Sequence, residues 1–203
     1  MAILENFRME PLTPKTMAFY LLIFLLITVS FQKAPSGWLE VQTAMVSSTA
    51  LRVLGFKSGW GVVKSEAFLT LDGAVRNVSV SIVRECTGIH VFAIFAGLVL
   101  PICGGLWRRK GASLVIAGIL LYIMNISRVM MTILLTGFNI PPFAWIFTNP
   151  TVETYHYPLS LVYGLIGVAL LVIVISRWML PELGYTLIRI VYTIKLLYDE
   201  HSK

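Results

Sequence analysis

The chain has 203 residues, of which 57% are hydrophobic and only 13% are charged. Soluble domains are about half apolar and about a quarter charged, so this composition excludes an ordinary water-soluble protein. It also excludes a disordered chain and a small secreted protein held together by disulfides. The formal net charge is +6, from 16 Lys and Arg against 10 Asp and Glu. The composition predicts one membrane-embedded domain over residues 1–203.

Four apolar blocks are long enough to cross a bilayer, which takes about 20 helical residues. They predict transmembrane helices over residues 16–34, 86–107, 111–138 and 157–179. Trp107, Tyr157 and Trp178 lie at block ends, where aromatic side chains collect at membrane interfaces. The expected fold class is therefore a mainly α, polytopic membrane protein with four transmembrane helices.

The orientation is predicted from residues 107–110, Trp-Arg-Arg-Lys, which carry three consecutive positive charges. The positive-inside rule places such a short loop in the cytoplasm. With four spans, the N-terminal segment 1–15 and the tail 180–203 are then also cytoplasmic, whereas segments 35–85 and 139–156 lie outside. The expected location is the plasma membrane.

Segment 35–85 is expected to hold an outer-face helix and a small β-hairpin. Residues 38–55 carry few charges and are too short to cross, so they predict a helix that lies in the membrane interface or dips partway in. A fifth span is the alternative. Alternating polarity around Asp72-Gly73 predicts the antiparallel hairpin. After the last span, residues 185–198 predict an amphipathic helix on the cytoplasmic face.

Arg128 is the one formal charge well inside a predicted span, about 15 Å along the helix from its outer end. Charged groups in hydrocarbon are costly and indicate functional sites by default. Because helical side chains lean towards the helix N-terminus, here the cytoplasmic end, Arg128 is badly placed to reach the outer interface. A polar cavity in the outer half is expected, with Asn125 lining it from the same face. An arginine that only satisfies carbonyls in the bundle is the alternative.

Cys86 lies where the second hairpin strand meets the start of a predicted span. A helix N-terminus there would favour the thiolate, and Gly88 would allow close approach of a substrate backbone. The alternative is a small buried hydrophobic residue, which is also the interpretation of Cys103, deep in the same block. One helix carrying both cysteines would separate them by about 25 Å, too far for a disulfide, so both are expected to be free thiols.

His156 precedes Tyr157-Pro158, and Pro158 suits the first turn of the fourth span. The histidine is therefore expected at an outer helix N-terminus, level with the cysteine, where the dipole favours a neutral ring that accepts a proton. His90 is the rival, four residues after Cys86 on the same helical face but one turn deeper. For each of the two histidines, a purely structural role is the alternative.

Other chemistries have little support in the sequence. The motifs Cys-x-x-Cys and His-Glu-x-x-His are absent, so no metal and no other cofactor is expected. The basic residues belong to predicted membrane-flanking segments, so no nucleic acid is expected as a partner.

Three motifs in this order resemble the exosortase/archaeosortase family of membrane cysteine transpeptidases. They are Glu-Cys-Thr-Gly-Ile at 85–89, Asn-Ile-Ser-Arg at 125–128 one span later, and His156 at the start of the next span. The resemblance covers roughly residues 38–164, and the four spans are more similar to small archaeosortases than to eight-span bacterial exosortases. Many members have an acidic residue directly after the histidine. In this sequence that position is Tyr157, and Glu153 is the candidate to take over the role of the acidic residue.

The resemblance implies that Cys86 is the nucleophile, His156 the general base and acid, and Arg128 the group that stabilises the thiolate or oxyanion. Asn125, Thr87 and Gly88 are expected to contact substrate. The implied partners are secreted proteins that end in a short motif, a transmembrane helix and a basic cluster. They are cut at the outer face through a thioester, and the new C-terminus passes to a membrane lipid amine.

Two alternatives remain open from the sequence. One is an intramembrane cysteine protease with the same three residues, which hydrolyses its substrate and transfers nothing. The other is a non-enzymatic membrane assembly or transport protein, in which Arg128 is structural or binds substrate.

Overall fold

The computed structural model describes residues 12–102, 106–147 and 150–201, and these are mainly helical. The helices are α1 (Pro14–Lys33), α2 (Gly37–Val53), α3 (Ile89–Val99), α4 (Trp107–Gly137), α5 (Phe143–Ile146), α6 (Val152–Trp178) and α7 (Pro181–His201). The strands are β1 (Lys57–Val63), β2 (Glu66–Asp72) and β3 (Val78–Ile82), and a 3₁₀ turn follows at Arg84–Thr87. Cys103, predicted deep in a helix, lies outside the described residues.

Three helices, α1, α4 and α6, are long and apolar enough to cross a membrane. The chain is thus a membrane protein, and three of the four predicted spans have a matching helix. α2 is not among the helices with this length and composition, so a fifth span gains no support.

The second predicted span, 86–107, differs from the expectation. Its helix α3 has only 11 residues, about 16 Å, against a hydrocarbon core of about 30 Å. Pro101 explains the early end, because a proline has no backbone N–H with which to continue the helical hydrogen-bond pattern. A four-span topology therefore stays a prediction.

Residues 107–110 form the first turn of α4, whereas the sequence predicted a loop there. Lys110 is buried, and its Nζ donates to the carbonyl of Leu100 at 3.1 Å and to that of Ile102. The last carbonyls of a helix have no hydrogen-bond partner within the helix. This ammonium supplies a partner for the carbonyls at the end of α3. The two arginines of the same turn are exposed.

The predicted hairpin forms from β2 and β3, which are antiparallel, and β1 adds a third strand in the order β1-β2-β3. Lys64 and Ser65 connect β1 to β2 with φ of 49° and 70°. Positive φ at both central residues is the mark of a two-residue type I′ turn, which matches the twist of the paired strands.

Helix α2 and the C-terminal part of α4 cover the buried face of this sheet. Their side chains and the strands share one apolar cluster, which includes Ala44, Leu51, Leu69, Leu71, Ile82 and Ile133. Burying each of these leucines stabilises the fold by about 2 kcal/mol. One side of α2 thus packs against protein, while its membrane depth stays a prediction.

The second apolar cluster joins α1, α3, α4, α6 and α7, with Tyr20, Phe95, Val99, Leu121, Leu171, Ile175 and Leu183 among its buried members. α1 and α3 approach closely, because a Cβ on Gly97 would lie 2.8 Å from Oγ1 of Thr28. Close backbone approach at small residues is typical of helix packing in membranes. α7 is longer than the predicted 185–198, and Leu183 in its first turn is buried in this cluster.

Candidate active site

Cys86 lies in the 3₁₀ turn that follows β3, three residues before α3 begins. Its backbone N–H donates to the carbonyl of Val83 at 2.8 Å, and its side chain is 6% exposed. Gly88 then adopts φ of 76°, a left-handed conformation that only glycine takes without cost. This residue turns the chain from the strand direction into α3. Cys86 is therefore held by a turn, whereas the sequence analysis placed it at the start of a predicted membrane-spanning helix.

The surroundings of Cys86 also differ from the expectation. The residue lies outside the three helices that are long enough to span, and burial raises the pKa of its thiol; the charge of Arg128 opposes this in part. Burial of the thiol therefore works against the thiolate that the sequence analysis expected. Since a cysteine attacks as the thiolate, a nucleophilic role for Cys86 would require a base that removes the proton of its thiol.

Arg128 is buried on α4, with 9% of its surface exposed. Its Nη2 donates to the carbonyl of Glu85 at 3.1 Å and to Oδ1 of Asn125 at 2.9 Å, and its Nη1 donates to Oγ of Ser160 at 2.7 Å. All three acceptors are neutral. Among the contacts described for the chain, no carboxylate forms an ion pair with this guanidinium. Its charge therefore remains available to an anion that forms nearby.

Asn125 connects the arginine to the cysteine turn. Its Nδ2 donates to the carbonyl of Cys86, while its Oδ1 accepts from Arg128. Both ends of the buried amide are thus engaged with protein. The side chain thus connects the cysteine turn to α4. The sequence analysis expected it to contact substrate instead.

Thr87 and Gly88 also do not face the open space that Cys86 faces. The hydroxyl of Thr87 donates to the carbonyl of Arg84 at 2.7 Å. Both residues line an apolar cavity of about 420 Å³ between the end of α1, the start of α2 and the start of α3. The structure therefore does not bring the three expected substrate contacts to one surface with the thiol.

His156 lies in the second turn of α6, and the prediction that Pro158 stands in the first turn is wrong. Thr151 and Thr154 form a capping box, with the N–H of Thr151 donating to Oγ1 of Thr154 at 3.1 Å, so the helix begins at Val152. Pro158 is consequently inside the helix. The helix dipole acts mainly within the first turn, so it contributes less at His156 than the sequence predicted.

Ser160, which the sequence analysis missed, connects the histidine to the arginine. Its Oγ lies 3.3 Å from Nε2 of His156 and accepts the hydrogen bond from Arg128. A serine four residues after a histidine faces the same side of a helix, and this spacing was the only signal in the sequence. The described hydrogen-bond partner of the imidazole ring is thus a hydroxyl group, while Glu153 lines the cleft beside it.

One cleft of about 900 Å³ brings the predicted catalytic residues together. Cys86, Arg128 and His156 all line it. One wall is strand β3 and the turn after it, and the opposite wall is the first turns of α6. His90 lines a separate cavity of about 70 Å³, which includes Arg128 but not Cys86. The geometry therefore favours His156 over His90 as the partner of the thiol.

The fold and the cleft define a membrane protein in which a buried thiol, a guanidinium and an imidazole converge from a turn and two long helices. The sequence model of the transmembrane exosortases matches residues 12–148, about two thirds of the chain. The chain belongs to the transmembrane exosortase family, which indicates a sortase-like processing role in the membrane. The match includes Cys86 and Arg128 and ends before His156. Comparisons with curated proteins and with solved structures found no match.

Proposed function

We propose that this chain is a cysteine transpeptidase that removes the C-terminal sorting tail of secreted proteins at the outer face of the plasma membrane. The observation that carries the proposal is the cleft shared by Cys86, Arg128 and His156. The substrate is a protein with a short motif, a transmembrane helix and a basic cluster at its end. Family membership supports a processing role of this kind.

The first half-reaction forms a thioester and releases the tail. His156 accepts the proton of the Cys86 thiol, and the thiolate attacks the carbonyl carbon of the scissile peptide bond. The carbonyl oxygen becomes an oxyanion, which the guanidinium of Arg128 stabilises in a site of low dielectric. The carbon–nitrogen bond then breaks, and His156 returns the proton to the departing amine.

The second half-reaction transfers the new C-terminus to a lipid amine. The amine attacks the thioester carbonyl, an amide bond forms, the carbon–sulfur bond breaks, and the proton lost by the amine restores the thiol through His156. Cys86 is only 6% exposed, and a poorly hydrated thioester reacts more slowly with water. The buried sulfur thus supports transfer over hydrolysis, and the mass of the product distinguishes the two.

The outer-face location is supported by the charges on α4. The exposed arginines of its first turn lie at one end of the helix, and Arg128 lies in the half towards the other end, nine residues before Gly137. Because exposed positive charges favour the cytoplasm, the cleft is then in the outer half of the membrane. Both termini are proposed to be cytoplasmic.

The test is the processing of a co-expressed tail-bearing protein by four single variants. Cys86→Ala is expected to abolish processing, and Arg128→Ala and His156→Ala to lower its rate by about 10² to 10⁴-fold. His90→Ala is the matched control and is expected to retain activity. Quantified membrane insertion of each variant separates lost chemistry from lost folding.

Two outcomes would contradict the proposal. Full processing by Cys86→Ala would leave a non-enzymatic assembly or transport role. Loss with His90→Ala and retention with His156→Ala would move the base to the smaller cavity.

A further inference from the structure

Strand β3 is an edge strand that borders the catalytic cleft. The strand order β1-β2-β3 gives it β2 on one side, and no strand in the described part of the chain pairs with its other side. The edge of a sheet presents backbone N–H and C=O groups that are ready to pair with another extended chain.

The register of the sheet identifies which residues of β3 face outwards. Val63 and Glu66 flank the two-residue turn, and in such hairpins the flanking residues form a hydrogen-bonded pair. Because the direction of the backbone groups alternates along β2, its residues that face β3 are Ala67, Leu69 and Leu71, paired with Ile82, Val80 and Val78. The intervening residues Ser79 and Ser81 therefore direct their N–H and C=O groups away from β2.

These outward residues lie in the catalytic cleft itself. Ser79, Ser81 and Val83 line it together with Cys86. The carbonyl of Val83 already accepts from the N–H of Cys86, so the open edge ends at the nucleophile. A further strand would lie about 4.8 Å from β3, in the space between β3 and α6.

The edge of β3 lacks the features that usually prevent strand addition. Natural edge strands carry charged side chains, prolines or bulges that block pairing. The sequence of β3 is Val-Ser-Val-Ser-Ile, without charge or proline, and its pairing to β2 is regular. The opposite edge, β1, begins with Lys57 and contains two glycines.

We propose that the substrate binds as a fourth strand on β3, with the segment beside its scissile bond hydrogen-bonded to the backbone of Ser79 and Ser81. This inference rests on the proposed function, and it adds the mode of substrate recognition. Main-chain hydrogen bonds of this kind tolerate many side chains and align an extended peptide. The added strand would deliver its carbonyl group to Cys86, because β3 leads directly into the cysteine turn.

The first test compares Ser81→Pro with Ser81→Ala in the full-length protein. Proline removes one outward N–H and leaves the bonds to β2 intact, a position where edge strands accept it. Alanine removes the hydroxyl, which donates to Oε2 of Glu66 at 3.4 Å, and keeps the backbone. Processing of the tail-bearing protein is expected to fall at least tenfold with proline and less than twofold with alanine. Equal activity of the two variants would overturn the proposal.

The second test leaves the enzyme unchanged and therefore does not depend on how Ser81→Pro folds. Single prolines are placed at successive positions of the substrate around its mapped cleavage site. Strand addition predicts losses at every second position, because alternate N–H groups face β3. Losses that are equal or continuous along the segment would contradict it. If Cys86→Ala processes the unmodified substrate like the native chain, the proposed function fails instead.

Discussion

The sheet region, formed by β1 to β3 and α2, and the bundle of α1, α3, α4, α6 and α7 hold the site by different means. The sheet region fixes Cys86 through backbone: a strand, a 3₁₀ turn and a left-handed glycine. The bundle supplies Arg128 and His156 as side chains on helices long enough to span a membrane. The proposed nucleophile, Cys86, and the charge of Arg128 are therefore positioned by separate parts of the fold.

This difference indicates which kind of substitution each region tolerates least. In the bundle the functional group itself is the critical element, because the helices that carry it are long and packed by many contacts. In the sheet region the conformation of the chain is critical, because the position of the sulfur depends on a few φ and ψ angles. Substitutions in the two regions should therefore fail in different ways.

The largest effect is expected for Arg128→Lys, which tests the bundle. Lysine keeps the charge but is a single ammonium without the planar fork that reaches Glu85, Asn125 and Ser160. Processing is expected to fall by about 10² to 10³-fold. Arg108→Lys, at an exposed position, is the control and should retain activity. A fully active Arg128→Lys variant would mean that charge alone is sufficient.

An intermediate effect is expected for Gly88→Ala, which tests the sheet region. A left-handed conformation costs an L-residue about 1 to 2 kcal/mol, so the turn should shift and the thermal unfolding temperature should fall. Processing should fall by about tenfold, since 1.4 kcal/mol corresponds to a factor of ten. Gly111→Ala, where a Cβ meets open space, is the matched control. Equal stability of both variants would show that the turn relaxes without cost.

The smallest effect is expected for Ser160→Ala, which removes the connection between arginine and histidine. The ring of His156 and the guanidinium both persist but lose one shared partner, about 1 kcal/mol, and processing should fall by about fivefold. Ser160→Thr keeps the hydroxyl and is expected to restore most of the rate, which a merely structural role would not require. An unimpaired Ser160→Ala variant would remove this residue from the site.

Long apolar blocks made the spanning helices predictable, because an apolar block of that length in a small chain is explained by a membrane span and by little else. The end of α3 was harder, since Pro101 interrupts a block that remains apolar on both sides. β1 was missed because its turn, Lys64-Ser65, lacks the Asn or Gly that normally marks a type I′ geometry. Local chemistry, rather than hydrophobicity, decided these cases.

The three main residues of the candidate site were predictable from the sequence, but the hydrogen bonds that connect them were not. Cys86, Arg128 and His156 are unusual in an apolar chain, so each could be found alone. Ser160 could not, because a serine in a membrane helix is common and its role depends on what faces it. The start of α6 was misjudged because a threonine, Thr154, completes the capping box where glutamate or glutamine is usual.

The buried ammonium of Lys110 has a consequence for access to the thiol. It connects the end of α3 to the start of α4, and Asn125, further along α4, connects that helix to the cysteine turn just before α3. These helices are thus joined at two distant points and resist separation. α6 also packs against α4, through the second apolar cluster, through Ser160 and through the 3.1 Å bond between Ser127 and Tyr163. A chain that reaches the thiol is therefore expected to enter through the open cleft and not between these helices.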